Sequence, residues 1–212
     1  MSANLISAAL DGMYPFLSEV AEMRRRARLL MESAGAAAGA SMAERVARVL
    51  QEALATERVC VARYRRHACM PEWLVPSALK EEFLKYAAEE QGHAELLARR
   101  IGELGARPQP ISARDLAAPA SDELDAETLA DLIEEDLIAE RIAIESYREM
   151  LQYVGDADAV TRELLEGILS VELGHAEELI ALRAEVLRRE RPGTGATSNQ
   201  LRVLKLNASE LN

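Results

Sequence analysis

One short motif occurs twice in this chain. Residues 89–97 read EEQGHAELL, and residues 171–179 read VELGHAEEL. Each segment holds a glutamate followed three positions later by a histidine: Glu90 and His93, then Glu172 and His175. Residues three apart share one face of an α-helix. We therefore expect a fold in which two helices turn the same acid and imidazole pair toward one another.

The composition favours helices over sheets. Aromatic residues make up only 4% of the 212 residues, whereas Ala, Leu, Glu and Arg are abundant. These residue types lose little side-chain freedom in a helix. A hydrophobic content of 49% is enough for one buried core. The sequence thus predicts an all-α protein.

The chain divides into three predicted parts. Residues 1–40 form an N-terminal extension with one amphipathic helix at 18–33 that starts from Ser18, residues 41–190 form a four-helix bundle, and residues 191–212 form a C-terminal tail. The bundle helices are predicted at about 41–69, 77–105, 125–154 and 158–190. The connection at 106–124 is long enough to cross the length of a bundle.

Each predicted bundle helix carries one glutamate in the middle of its apolar face. These four residues are Glu57, Glu90, Glu140 and Glu172. Ionised carboxylates in an apolar interior are costly unless they are paired, protonated or bound to a metal. The imidazoles of His93 and His175 lie on the same faces, and this mixture of ligands suits iron or manganese. Tyr64 and Tyr147 each follow a glutamate, Glu57 or Glu140, by seven residues, so the site is expected to be a pseudo-twofold centre for two metals.

The chain resembles the ferritin-like di-iron carboxylate proteins, and within them most of all the bacterioferritins. The similarity is carried by ERVCVARYRRHACM at 57–70, DLIAERIAIESYREM at 136–150 and the two GHAE motifs. The resemblance implies that one iron is held by Glu57, Glu90 and His93, and the other by Glu140, Glu172 and His175. It also implies that Glu90 and Glu172 bridge both ions, and that Tyr64 serves the site as a hydrogen-bond partner or electron donor.

The chain departs from the bacterioferritin pattern at three places. Bacterioferritins bind haem through a methionine after the first glutamate of a Glu-x-x-His motif, and Gln91 stands there in this chain, so haem is not expected. Residues 1–40 have no counterpart in the compact subunit, and residues 191–212 do not resemble its fifth helix. We expect a homo-oligomer of two or more subunits, without a prediction of a closed shell.

The function expected from this pattern is that of a di-iron ferroxidase, which oxidises Fe(II) with O2 or peroxide. Manganese or a mixed manganese and iron centre is an alternative metal content. One alternative function is a small di-iron oxygenase or oxidase acting on an organic substrate. Another is a ferritin-like cargo or interaction protein that contacts a partner through residues 18–33 or 200–212.

Charge and apolar patterning narrow the partners and the location. The formal net charge of −11 disfavours nucleic acid as a partner and favours small cations. The N-terminal residues hold no basic region followed by an apolar run, so we expect no membrane association and a cytoplasmic location. Asp136, one turn before Glu140, is a candidate for a path by which ions reach the site, and His67 is expected to have a supporting role.

Overall fold

The computed structural model of the protein describes residues 15–33, 39–110 and 128–190. The helices in these ranges are α1 (Pro15–Glu32), α2 (Met42–Ala68), α3 (Ser77–Glu103), α4 (Leu129–Val154) and α5 (Ala159–Glu190). The same ranges contain no β-strand, which confirms the predicted all-α class. None of these helices combines the length and the apolar character needed to cross a membrane.

Side-chain caps define where the bundle helices begin. The Ser41 hydroxyl accepts a hydrogen bond from the Glu44 amide and the Glu44 carboxylate accepts one from the Ser41 amide at the start of α2. The same reciprocal pair between Thr128 and Asp131 opens α4. The predicted start of this helix near residue 125 was therefore too early, because Thr128 supplies the cap.

The remaining helix boundaries follow local chemistry as well. The Asp158 carboxylate accepts a hydrogen bond from the Thr161 amide at the start of α5, which agrees with the predicted helix at 158–190. Gly155 ends α4 with a positive φ of 55°, a conformation that glycine adopts without steric cost. The first helix begins at Pro15, so the prediction that Ser18 precedes it was wrong. Proline is favoured in the first turn, where its missing N–H is not needed.

The four bundle helices pack as two hairpins. Helix α2 packs mainly against α3, and α4 packs mainly against α5. The chain that leaves α3 first runs over α2, where the Gln51 side chain donates to the Arg107 carbonyl at 2.8 Å and accepts from the Gln109 amide at 3.0 Å. Residues 111–127, which include the rest of the predicted crossover at 106–124, and the predicted tail, residues 191–212, lie outside the described residues.

Helix α1 packs on the bundle across α2 and α4. Its residues Val20, Met23 and Ala27 are each only 1% exposed, so it contributes to the core. Charged residues beside this apolar strip tie it to both helices. Arg24 donates to Glu149 of α4 at 2.6 Å and Arg26 donates to Glu52 of α2 at 2.8 Å, while Arg28 also contacts Glu149. Arg24, Arg26 and Arg28 are thus all paired with acids of the bundle helices.

Candidate metal centre

The structure brings the six predicted metal ligands together in the middle of the bundle. Each of the four bundle helices contributes at least one of them, and all are at most 6% exposed: Glu57, Glu90, His93, Glu140, Glu172 and His175. The apolar stripes that carry these residues along the sequence are the faces turned to the core. Packing of those stripes is what concentrates the polar groups at one level.

The six side chains fall into two overlapping groups. One group consists of Glu57, Glu90, His93 and Glu172, and the other consists of Glu90, Glu140, Glu172 and His175. Within each group, one ligand atom per residue lies within 4.8 Å of all the others. Glu90 and Glu172 belong to both groups. The arrangement therefore offers two overlapping sets of donor atoms, with two carboxylates common to both.

Both imidazoles direct Nδ1 at these carboxylates. His93 Nδ1 lies 3.0 Å from Glu172 Oε1, 3.2 Å from Glu90 Oε2 and 3.3 Å from Glu57 Oε2. His175 Nδ1 lies 3.2 Å from Glu90 Oε1 and 3.4 Å from Glu172 Oε2. The two histidines thus contact different oxygens of each shared glutamate.

Several of these buried atoms lie close to one another but make no hydrogen bond of good geometry among the described residues. They are Glu57 Oε2, Glu90 Oε1, both carboxylate oxygens of Glu172, and His175 Nδ1. Buried polar atoms are normally satisfied, so such a cluster calls for a ligand. Carboxylate oxygens and imidazole nitrogens aimed at one small space are suitable donors for divalent iron or manganese. The residues present therefore fit a metal centre.

Two tyrosines hydrogen-bond across the bundle to Glu57 and Glu140, the two glutamates that belong to only one group each. The Tyr64 hydroxyl of α2 donates a hydrogen bond to Glu140 of α4, and the Tyr147 hydroxyl of α4 donates one to Glu57 of α2. Burial, followed by the nearby carboxylates, raises the pKa of both tyrosines well above the usual value, so both are neutral donors. The hydrogen bond from Tyr147 to Glu57 was not predicted. The spacing of Tyr147 from Glu140 was the sequence signal that could have indicated a role at the site.

Crowding of charge shifts the protonation of the metal-free site. Burial, followed by repulsion from Glu172 and Glu57, raises the pKa of Glu90 well above its usual value. Burial opposes protonation of His93, but the close contact of its ring with the carboxylates of Glu172, Glu57 and Glu90 raises its pKa to about 12. Against the same opposition from burial, contact with Glu172 raises the pKa of His175 to about 9. Protons bound to these groups therefore offset negative charge of the carboxylates when no metal is bound.

One carboxylate outside the six supports a ligand. Glu89 Oε2 lies 2.9 Å from His175 Nε2, on the side of the ring that faces away from the shared glutamates. A carboxylate at this nitrogen fixes the orientation of the imidazole and its tautomer. Sequence reasoning missed Glu89, because an acid next to Glu90 along a helix points to a different side.

A second buried charged cluster lies one turn from Glu140. Arg63 donates to Asp136 Oδ1 at 2.6 Å and to Glu135 Oε2 at 2.5 Å, and His67 Nδ1 lies 3.1 Å from Asp136 Oδ2. Asp136 is only 1% exposed. Despite burial, the charges of His67 and Arg63 hold its pKa below the usual value. Asp136 is thus paired with Arg63 and His67, and the proposal that it lies on a path for ions stays a prediction. The contact of His67 is with Asp136 and not with the six clustered side chains.

Comparison with known families agrees with this architecture. The ferritin-like domain family matches residues 47–188, a range that includes all six clustered side chains. No curated protein sequence matches the chain significantly. The matched range covers well over half of the chain and runs from α2 to α5. The chain therefore belongs to the ferritin-like domain family.

Proposed function

We propose that this protein is a di-iron ferroxidase. Two Fe(II) ions are its substrate, and O2 or peroxide is the oxidant. Each Fe(II) loses one electron to become Fe(III). The two electrons, with two protons, reduce O2 to hydrogen peroxide or hydrogen peroxide to two molecules of water. Within the ferritin-like family, a bacterioferritin-type role in iron handling or protection from oxidants fits this reaction.

The observation that carries the proposal is the pair of overlapping ligand groups. Four buried carboxylates carry a charge that two divalent cations balance, and the two imidazoles can then be neutral ligands. The sharing of Glu90 and Glu172 supports two neighbouring ions over one. An ion in the first group would be held by Glu57 and His93, and one in the second group by Glu140 and His175.

The residues around the ions favour oxidation of iron. Carboxylate oxygens are hard ligands, which stabilise Fe(III) more than Fe(II). In our proposal Tyr64 keeps Glu140 oriented and acts as the candidate catalytic residue, either as a hydrogen-bond donor or as an electron donor. The formal net charge of −11 raises the local concentration of cations. Manganese or a mixed manganese and iron centre would use the same ligands.

The proposal is tested by adding Fe(II) in air to metal-free protein without any organic substrate. We expect two irons per chain to be oxidised rapidly, as followed by ferric absorbance and metal analysis. The Glu90→Ala and Glu172→Ala double variant should lose both binding and oxidation. A Glu95→Ala variant is the matched control, because Glu95 is an exposed acid of α3 that pairs with Gln91. Slow oxidation equal to that of the double variant would refute the proposal.

A second candidate function is that of a small di-iron oxygenase or oxidase. It is favoured by an apolar pocket in which His93 forms part of the wall. Stoichiometric metal binding without rapid oxidation of Fe(II) would favour this function. A role as a ferritin-like cargo or interaction protein through residues 18–33 or 200–212 stays a prediction, as do homo-oligomer formation and a cytoplasmic location.

A further inference from the structure

The two Glu-x-x-His motifs differ in the residue that precedes the glutamate. This residue is Glu89 in α3 and Val171 in α5. Glu89 contacts His175 Nε2 at 2.9 Å. The corresponding residue, Val171, offers no polar side chain to His93, whose carboxylate contacts are made through Nδ1. One imidazole is thus supported by a carboxylate, whereas the other has an apolar residue in the corresponding place.

An apolar pocket occupies the position left by this difference. It has a volume of about 370 Å³ and lies between α3 and α5. Its wall includes His93, Leu96, Val160, Gly167, Ile168 and Val171. The pocket is open to solvent, since Leu96 is 40% exposed and Val160 is 59% exposed. Apart from His93, the lining has one charged side chain, Glu163.

The opposite side of the bundle is closed by α1. This helix covers α2 and α4 with Val20, Met23 and Ala27, all of which are buried. The Met23 sulfur accepts a hydrogen bond from the Thr56 hydroxyl at 3.5 Å, one residue before Glu57. An added helix on one face and an open pocket on the other make the two sides of the metal centre unequal.

We propose that the pocket between α3 and α5 binds a small apolar organic molecule against the ring of His93. The volume corresponds to roughly a dozen water-sized groups, at the small end of the range for ligand sites. The aliphatic lining favours apolar surface, and the carboxylate of Glu163 together with the acidic protein disfavours anions. The ligand class is therefore a neutral or cationic apolar compound.

This inference goes beyond oxidation of iron, which needs no organic ligand. It follows from the pocket and from the difference between Glu89 in the first motif and Val171 at the corresponding position of the second. It does not require a metal ion in the centre. A ferroxidase that binds such a molecule and a ferroxidase that does not are therefore distinguishable. Binding is measured on the full chain as purified, through the fluorescence of a dye and not through iron oxidation.

The probe is N-phenyl-1-naphthylamine, a neutral dye whose fluorescence rises in apolar surroundings. We expect saturable binding of one dye per chain. Gly167→Leu should weaken it by about tenfold or more, because the new side chain fills the pocket. A Cβ at Gly167 meets no atom within 4 Å, so the helix tolerates the change. Gly102→Leu, at an exposed helical glycine with the same free space, is the control and should bind as the parent does.

A second variant uses the broken symmetry itself. Val171→Glu places an acid where its counterpart Glu89 stands, and it should weaken dye binding about tenfold by putting a charge in the apolar wall. Binding of the dye should also shift the imidazole nitrogen resonances of His93, but not those of His67. Absence of saturable binding, or equal binding in Gly167→Leu and Gly102→Leu, would overturn the proposal. Unchanged His93 resonances on saturation would overturn it as well.

Discussion

The hydroxyl of Tyr147 on α4 donates a hydrogen bond to the carboxylate of Glu57 on α2. The hydroxyl of Tyr64 on α2 donates the equivalent hydrogen bond to the carboxylate of Glu140 on α4. Each tyrosine therefore holds the glutamate of the other hairpin, and not the one on its own helix. The pair of contacts links the two hairpins directly at the level of the metal centre.

Loss of either tyrosine hydroxyl should destabilise the protein. Tyr64→Phe and Tyr147→Phe each leave a buried carboxylate oxygen without its donor, so we expect the free energy of unfolding of the metal-free protein to fall by about 1–3 kcal/mol. Urea denaturation measures the change. Tyr153→Phe is the control, because the Tyr153 hydroxyl is buried without a partner among the described residues. A change in Tyr153→Phe as large as in the other two would contradict the interpretation.

Metal binding should strengthen as pH rises. The pKa of His93 is about 12 and that of His175 about 9 in the metal-free site, so both imidazoles hold a proton at neutral pH. A metal needs the neutral imidazole and must displace these protons, which costs more at lower pH. We expect the affinity for Mn(II) to fall by at least about tenfold per pH unit from pH 8 to pH 6.

Calorimetric titration in buffers with different heats of ionisation would count the protons released on Mn(II) binding. Release of at least one proton per ion agrees with the charge balance described above. Affinity that does not change with pH, together with no proton release, would show that the imidazoles are neutral before the metal binds.

Replacement of Glu89 should weaken metal binding, although Glu89 is not one of the six candidate ligands. Glu89→Val removes the carboxylate from His175 Nε2 and makes the first motif match the second at this position. We expect the Mn(II) affinity of the site to fall by about 10- to 100-fold. Glu95→Val, which removes an exposed acid from the same helix, should leave the affinity unchanged. Equal losses in both variants would point to general surface charge instead.

The buried arginine should be much more sensitive than a surface one. Arg63→Met leaves Asp136 and Glu135 without their cation in the core, and we expect a loss of about 3–5 kcal/mol in stability. Arg162→Met breaks exposed pairs with Asp156 and Glu166, and should cost no more than about 1 kcal/mol. Thermal and urea unfolding of both variants at neutral pH compare the two losses.

The same cluster sets a direction for acid unfolding. The pKa of Asp136 is lower in the folded protein than in the unfolded chain. Its contribution to stability is therefore complete above the unfolded value of about 3.9 and is lost as pH falls through the folded value. Asp136→Asn should show a smaller loss of stability on acidification than the parent protein does.

Helix α1 should behave as part of the core. Met23→Ala creates a cavity at a residue that is 1% exposed, so we expect it to cost about 2–5 kcal/mol. Arg25→Ala on the same helix removes an exposed pair with Glu22 and should leave the stability almost unchanged. Equal stability of the two variants would mean that α1 is not packed on the bundle in solution.

Most of the candidate centre could be predicted because its signals are local. Helical spacing places Glu90 with His93, and Glu172 with His175, on single faces, and the apolar neighbours of these residues show that the faces are buried. Helix starts were less certain, because several polar residues compete to cap a helix. Thr128 and Pro15 define the starts that were misplaced.

Contacts between distant segments could not be predicted. Arg63 meets Glu135 and Asp136 at separations of 72 and 73 residues, and nothing in the spacing of the arginine indicates those partners. The difference between Glu89 and Val171 at corresponding positions is visible in the sequence. Its effect on the site depends on which histidine lies across from each residue.

The sequence by itself determined the helical class and the six side chains of the candidate centre, because helical periodicity and burial of carboxylates are properties of each segment alone. Only the tertiary structure decided which tyrosine holds which glutamate, which acid supports His175, and which face α1 covers. Those choices depend on the relative placement of whole helices, which arises from packing many side chains at once.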